Sequence, residues 1–113
     1  MKESPIFTRT HDLLLWVLRT TRKFPREFRF TLGQEVCAQA FALQKAQIAA
    51  SLDSMRQAEH LVHADIALTS LRKLMLLCHE LQLLDDGQLR HVGELLQEIG
   101  RLLGGWKRSG RGR

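Results

Sequence analysis

Leu61, Ala64, Leu68, Leu71, Met75 and Cys78 recur at alternating steps of three and four residues, the spacing that lines up side chains on one face of a helix. A second stripe runs beside the first through Ala67, Leu74, Leu77, Leu81 and Leu84. The pattern predicts a helix over about Gln57–Leu84. Two adjacent stripes bury more than one neighbour needs, so this helix is expected to touch two or more partners. The same repeat returns in Leu89, Val92, Leu96, Ile99, Leu103 and Trp106 and predicts a final helix. Gly93, Gly100 and Gly104 lie beside that stripe. Each interior glycine costs about 1 kcal/mol against alanine, so three on one side imply that another backbone passes close.

Upstream, the near-continuous apolar stretch Leu13–Leu18 predicts a first helix from about Thr10 to Lys23, capped by Thr8 or Thr10 and covered on most sides. Phe24-Pro25 ends it, because a proline pushes the residue before it out of helical geometry. Thr31-Leu32-Gly33-Gln34 has the form of a capping box for a second helix. That helix has Val36, Ala40 and Leu43 as its apolar face, with Phe41, Ile48 and Leu52 flanking it. A short turn is expected at Asp53-Ser54. Asp85-Asp86-Gly87-Gln88 stops one helix and caps the next, with Asp85 as N-cap and Gln88 at the third position.

Four amphipathic helices with short links predict an all-α, up-down-up-down four-helix bundle. The expected limits are an N-terminal extension over 1–9, the bundle over 10–107 and a basic tail over 108–113. The tail is too polar and glycine-rich to pack, and it is expected to be disordered alone. Composition agrees with a single domain. The 113 residues are 44% apolar and 26% charged, ordinary globular usage, with proline only at positions 5 and 25 and no tyrosine.

Charge changes the picture more than composition does. The net charge of +5 is unevenly spread: residues 1–18 are neutral, 19–29 carry +4, 30–100 carry −4 and 101–113 carry +5. Two basic patches around an acidic middle attract polyanions better than a diffuse charge would. Nucleic acid fits best, although acidic lipid or an acidic protein satisfies the same field.

Little else reads as chemistry. Cys37 and Cys78 form no CxxC pattern and fall on apolar helical positions, so they are expected to be reduced core thiols. His60 and His63, with Glu59 and Asp65 nearby, have a spacing that can hold a metal on a helix. No third ligand is anchored elsewhere, and surface or subunit-contact histidines are the preferred reading. Cys37, Cys78, His79 and Glu80 place no base beside a nucleophile. No Gly-rich phosphate loop follows a strand, since no strand is expected. No enzyme, metal site or cofactor is therefore expected. The opening residues lack the pattern of a signal peptide, and no apolar run reaches the roughly 18 residues of a membrane span. A cytoplasmic protein without a membrane is the expectation.

In Arg22-Lys23-Phe24-Pro25-Arg26-Glu27-Phe28-Arg29-Phe30, bases alternate with aromatics. This interleaving can pair with phosphates and stack on unpaired bases. Alternatively, the phenylalanines plug the end of the bundle, which is the favoured reading of the aromatics, while the arginines stand in solvent. The tail Lys107–Arg113 is like the arginine-glycine arms that grip RNA or DNA without sequence choice.

Ala64-Asp65, then Leu68, Leu71 and Arg72, and Glu98-Ile99-Gly100-Arg101-Leu102-Leu103-Gly104-Gly105-Trp106 resemble stretches of the Avd (accessory variability determinant) proteins of diversity-generating retroelements. The Phe24-Pro25-Arg26 corner also fits, and is shared with the wider four-helix-bundle family related to ribosomal RNA intervening-sequence proteins. The resemblance covers roughly residues 10–107. It implies a bundle protomer in a ring-like homopentamer with a positively charged surface. It further implies binding to template RNA and DNA and to a reverse transcriptase, assisting mutagenic copying of template RNA into cDNA while the polymerase does the catalysis. Its basic positions are Arg26, Arg72 and Arg101, with Lys107 and Arg108 extending one basic end.

The expected nucleic-acid-binding residues are accordingly Arg19, Arg22, Lys23, Arg26, Arg29, Arg72, Lys73, Arg101, Lys107 and Arg108. The competing expectation is an oligomeric helical scaffold that docks proteins through its extra apolar stripe and binds no nucleic acid.

Overall fold

The computed structural model describes residues 4–111. Its elements in order are α1 (Pro5–Thr21), α2 (Arg26–Arg29), α3 (Leu32–Leu52), a 3-10 turn at Ser54–Arg56, α4 (Gln57–Glu80) and α5 (Asp86–Arg111). There is no strand among the described residues. Helix α3 packs on α1 and α4, and α5 packs on α4 and α1. The four long helices thus close a square in which sequence neighbours lie side by side and antiparallel, an up-down-up-down bundle.

The core follows the three-four repeats. Leu61, Ala64, Leu68, Leu71, Met75 and Cys78 of α4 are all buried, as are Val92, Leu96, Ile99 and Leu103 of α5. Leu13, Val17, Val36, Ala40 and Leu43 complete the interior. The second stripe of α4 divides instead. Ala67 and Leu84 are buried, Leu74 is half-buried, and Leu77 and Leu81 stay exposed. Leu15 and Leu18 of α1 are exposed too, so the apolar run in α1 is not covered on most sides within one protomer.

Helix α1 begins at Pro5, five residues before the expected start. Proline at the first helical position has its φ already set for the helix and loses no useful donor. Ile6 is buried in the core, and Phe7 packs edge-on against Trp106 with ring centres 6.2 Å apart. Thr10 is no cap; it is buried inside the helix, where its hydroxyl accepts from Gln47 Nε2 at 2.9 Å.

Thr31 occupies the N-cap position of α3, but the capping box does not form. Its hydroxyl donates backwards to Glu27 O and Phe28 O at 3.3 and 3.4 Å. Helix α2 ends just upstream, and its last carbonyls lack helical partners, so they compete for the threonine. Asp85 does form the box: Gln88 N donates to Asp85 Oδ1 at 2.7 Å and Asp85 N to Gln88 Oε1 at 2.9 Å.

Helix α4 ends at Glu80 rather than Leu84. Gln82 takes φ 63°, while Gln82 N donates to His79 O and Leu83 N to Cys78 O. This paired closure of the last carbonyls needs a left-handed residue at its apex. The turn then returns Leu84 to the core.

Helix α5 continues through Arg111, so residues 108–111 of the expected disordered tail are helical. Cations in a last turn are favoured by the partial negative charge there. Residues 112–113 of that tail and 1–3 of the N-terminal extension lie outside the described residues. Among the described residues, no backbone from another element packs against Gly93, Gly100 or Gly104. A methyl group on Gly93 would meet nothing within 4 Å, whereas on Gly100 and Gly104 it would meet the guanidinium groups of Arg72 and Arg108.

Candidate nucleic-acid interface

The corner that joins α1 to α3 gathers Arg19, Arg22, Lys23, Arg26 and Arg29, all exposed. Among the described residues none of the five forms an ion pair. The three phenylalanines part company here. Phe24 is buried and Phe28 half-buried, so both plug the end of the bundle, but Phe30 is 66% exposed. Arg29 Nε donates to Phe24 O at 3.3 Å, and its guanidinium carbon sits 6.0 Å from the Phe30 ring centre. A shallow cavity of about 450 Å³ opens beside them, lined in part by Arg22, Arg29 and Phe30 over Leu18, Gly33 and Cys37. Gly33 allows this close packing: a methyl group there would touch the Phe24 ring and the Phe28 carbonyl at 3.4 Å.

Arg72 lies elsewhere, on the seam between α4 and α5. Its Nη2 reaches Leu96 O at 3.4 Å, across the surface of Gly100. One turn or two further down the seam, Lys107 is held by the carboxylate of Asp65. The stretches that carry the family resemblance are thus two sides of one helix–helix interface, with Ala64, Leu68, Leu71, Ile99 and Leu103 buried between them. Glycine at position 100 makes room for the arginine, which explains one of the three glycines from its own chain. Lys73 and Arg101 are exposed, and Arg101 shares a shallow surface cavity with Glu94, Gln97 and Glu98. Arg108 is exposed near the end of α5.

The two basic patches do not converge within a protomer. Trp16 lies beside His91, ring centres 6.2 Å apart, at one level of the bundle, and Phe7 meets Trp106 at another. At 1.5 Å per residue, α5 carries the chain about 25 Å from His91 to Arg108, in a molecule 47 Å long. The corner therefore stands at the end where α1 finishes, and Lys107 and Arg108 at the end where it starts. Glu80, Asp85 and Asp86 sit on the α4–α5 turn, at the same end as the corner but across the bundle from it.

The remaining candidates lead to structural contacts. His60 Nε2 lies 2.9 Å from Asp53 Oδ2, which holds the Asp53 carboxyl below its ordinary range against a smaller opposing effect of desolvation. His63 and Glu59 are exposed, and no group of three or more potential metal ligands gathers among the described residues. His79 turns to Asp86 at 2.7 Å rather than towards Cys78. Both cysteines are free. Burial pushes the Cys78 thiol up to about 11, which leaves almost none of it as the reactive thiolate at neutral pH. Cys37 is half-buried, 3.4 Å from the Thr21 hydroxyl. Among the described residues no helix is long and apolar enough to cross a membrane.

Sequence reasoning missed two features of this surface. The Asp65–Lys107 pair joins residues 42 apart, and no local spacing announces it. The exposure of Phe30 depends on where α2 ends, a matter of one residue. A comparison with curated proteins finds no match. The family model described as bAvd-like matches residues 6–110, a span that takes in the corner, the α4–α5 seam and both stretches of resemblance. The chain belongs to the bAvd-like family, and so is an Avd-like protein of the kind associated with diversity-generating retroelements.

Proposed function

We propose that this protein is a non-enzymatic, nucleic-acid-binding accessory of a retroelement reverse transcriptase. In this reading it assists mutagenic copying of template RNA into cDNA, in the cytoplasm, and the polymerase supplies the chemistry. The observation that carries the reading is the corner: five exposed cations, gathered where α1 turns into α3, that form no ion pair among the described residues. Exposed guanidinium groups without a carboxylate partner are free to pair with phosphate oxygens, which can accept two hydrogen bonds from one arginine. Arg72, Lys73, Arg101, Lys107 and Arg108 form further basic ground down the α4–α5 side.

The same reading makes the protein a homopentamer. Leu77 and Leu81, Leu15 and Leu18, and the open face of Gly93 are surfaces that one protomer leaves uncovered. A ring of bundles covers such faces and brings basic patches of different protomers onto one surface. Sedimentation of the pure protein with and without RNA tests assembly and binding together. Replacing Arg26, Arg72 and Arg101 with glutamine should weaken RNA binding at least tenfold while the helical circular dichroism stays unchanged. Unchanged affinity would move the site away from these positions.

A second reading is favoured by Val62, Ile66, Leu76 and Leu77, exposed apolar residues on α4. Here the oligomer is a scaffold that docks a protein through those side chains, and it binds no nucleic acid at physiological salt.

A further inference from the structure

Phe30 is the one large aromatic side chain that folding leaves mostly in water, and it stands in the middle of the basic corner. Its neighbours Phe24 and Phe28 found places in or against the core, so its exposure is not a general feature of the corner. An exposed ring costs hydrophobic stabilisation, and at this place it has acquired a cationic companion, Arg29, at 6.0 Å. The shallow cavity beside it is open to solvent, with Arg22, Arg29, Leu18 and Cys37 in its lining. No acidic side chain lines it.

We propose that this cavity takes an unpaired base of a single-stranded nucleic acid, stacked on Phe30, while Arg22 and Arg29 hold the flanking phosphates. An aromatic face set among guanidinium groups is matched by a flat π-face with phosphates on either side of it. A lipid headgroup offers the phosphate but no ring, and an acidic peptide offers carboxylates with an occasional ring only. Duplexes keep their base faces hidden, so they meet the arginines alone. The inference rests on the nucleic-acid reading above and narrows it from polyanions to strands with free bases.

The test compares a short oligouridylate with a duplex of equal length by fluorescence anisotropy at one salt concentration. The wild type, Phe30→Ala and Phe30→Trp are each measured, with their sedimentation coefficients. Phe30→Ala should weaken single-strand binding by roughly tenfold, the usual loss of one stacking platform, and leave duplex binding within about twofold. Phe30→Trp should keep single-strand binding, and its added indole emission should be quenched on saturation relative to the wild type. Equal losses for strand and duplex, or no loss for either, would overturn the stacking site while leaving nucleic-acid binding in place. A change of sedimentation coefficient in Phe30→Ala would also overturn it, because Phe30 would then be a contact between copies of the chain. Failure of the wild type to bind either probe at low salt would overturn the site together with the function it rests on.

Discussion

Gln47 is fully buried between α1 and α3, and it makes one hydrogen bond, to Thr10, leaving its Oε1 without a partner. A buried amide left half-satisfied costs more than an apolar side chain of the same shape. Thr10→Val alone removes the remaining partner and should lower stability by about 1–3 kcal/mol. Adding Gln47→Leu should restore the loss and bring the protein to wild-type stability or above. Urea unfolding of both variants checks the pair, and a double variant weaker than Thr10→Val would show that the amide has a partner that the account lacks. The sequence gives no sign of this pair, since a threonine near a helix start reads as a cap. The register of α1 against α3 decided otherwise.

Among the elements, the caps show where local pattern suffices. Asp85-Asp86-Gly87-Gln88 forms its reciprocal box because nothing nearby competes for Asp85. Thr31-Leu32-Gly33-Gln34 has the same spacing, but the open carbonyls of α2 draw the hydroxyl away. Asp85→Ala should therefore cost about 1 kcal/mol, the usual value of a lost N-cap, and Thr31→Ala clearly less. Equal losses in thermal unfolding would contradict the observed hydrogen bonds. The long stripes of α4 and α5 were legible for a related reason. Repeats of three and four over six positions leave helix as the one way to bury all of them, whereas ends are set by single residues such as Pro5 and Gln82.

In the whole molecule, the two basic patches are separated by most of the bundle's length, and the uneven charge of the sequence could not reveal this. Charge blocks can be counted along a chain, but their placement depends on which helix ends share a level. The composition of the corner was legible and its use of Phe30 was not, because Phe24, Phe28 and Phe30 look alike until two of them are buried. The α4–α5 seam brings the two stretches of resemblance together: the Arg72 guanidinium lies over Gly100, and Lys107 pairs with Asp65. Apolar side chains left exposed on α1 and α4 place the remaining burial, on the proposed reading, between copies of the chain.

The central claim is that the cations of the α1–α3 corner bind nucleic acid by pairing with phosphates. Affinity for a single-stranded RNA measured against salt concentration tests it most directly, in the wild type and in Arg22→Gln/Arg26→Gln/Arg29→Gln. Log affinity should fall linearly with log salt, by about 0.7 per phosphate neutralised on a single strand. The triple variant should bind more weakly and with a slope shallower by about two. A wild-type affinity that does not change with salt, or a variant with the wild-type slope, would contradict the account.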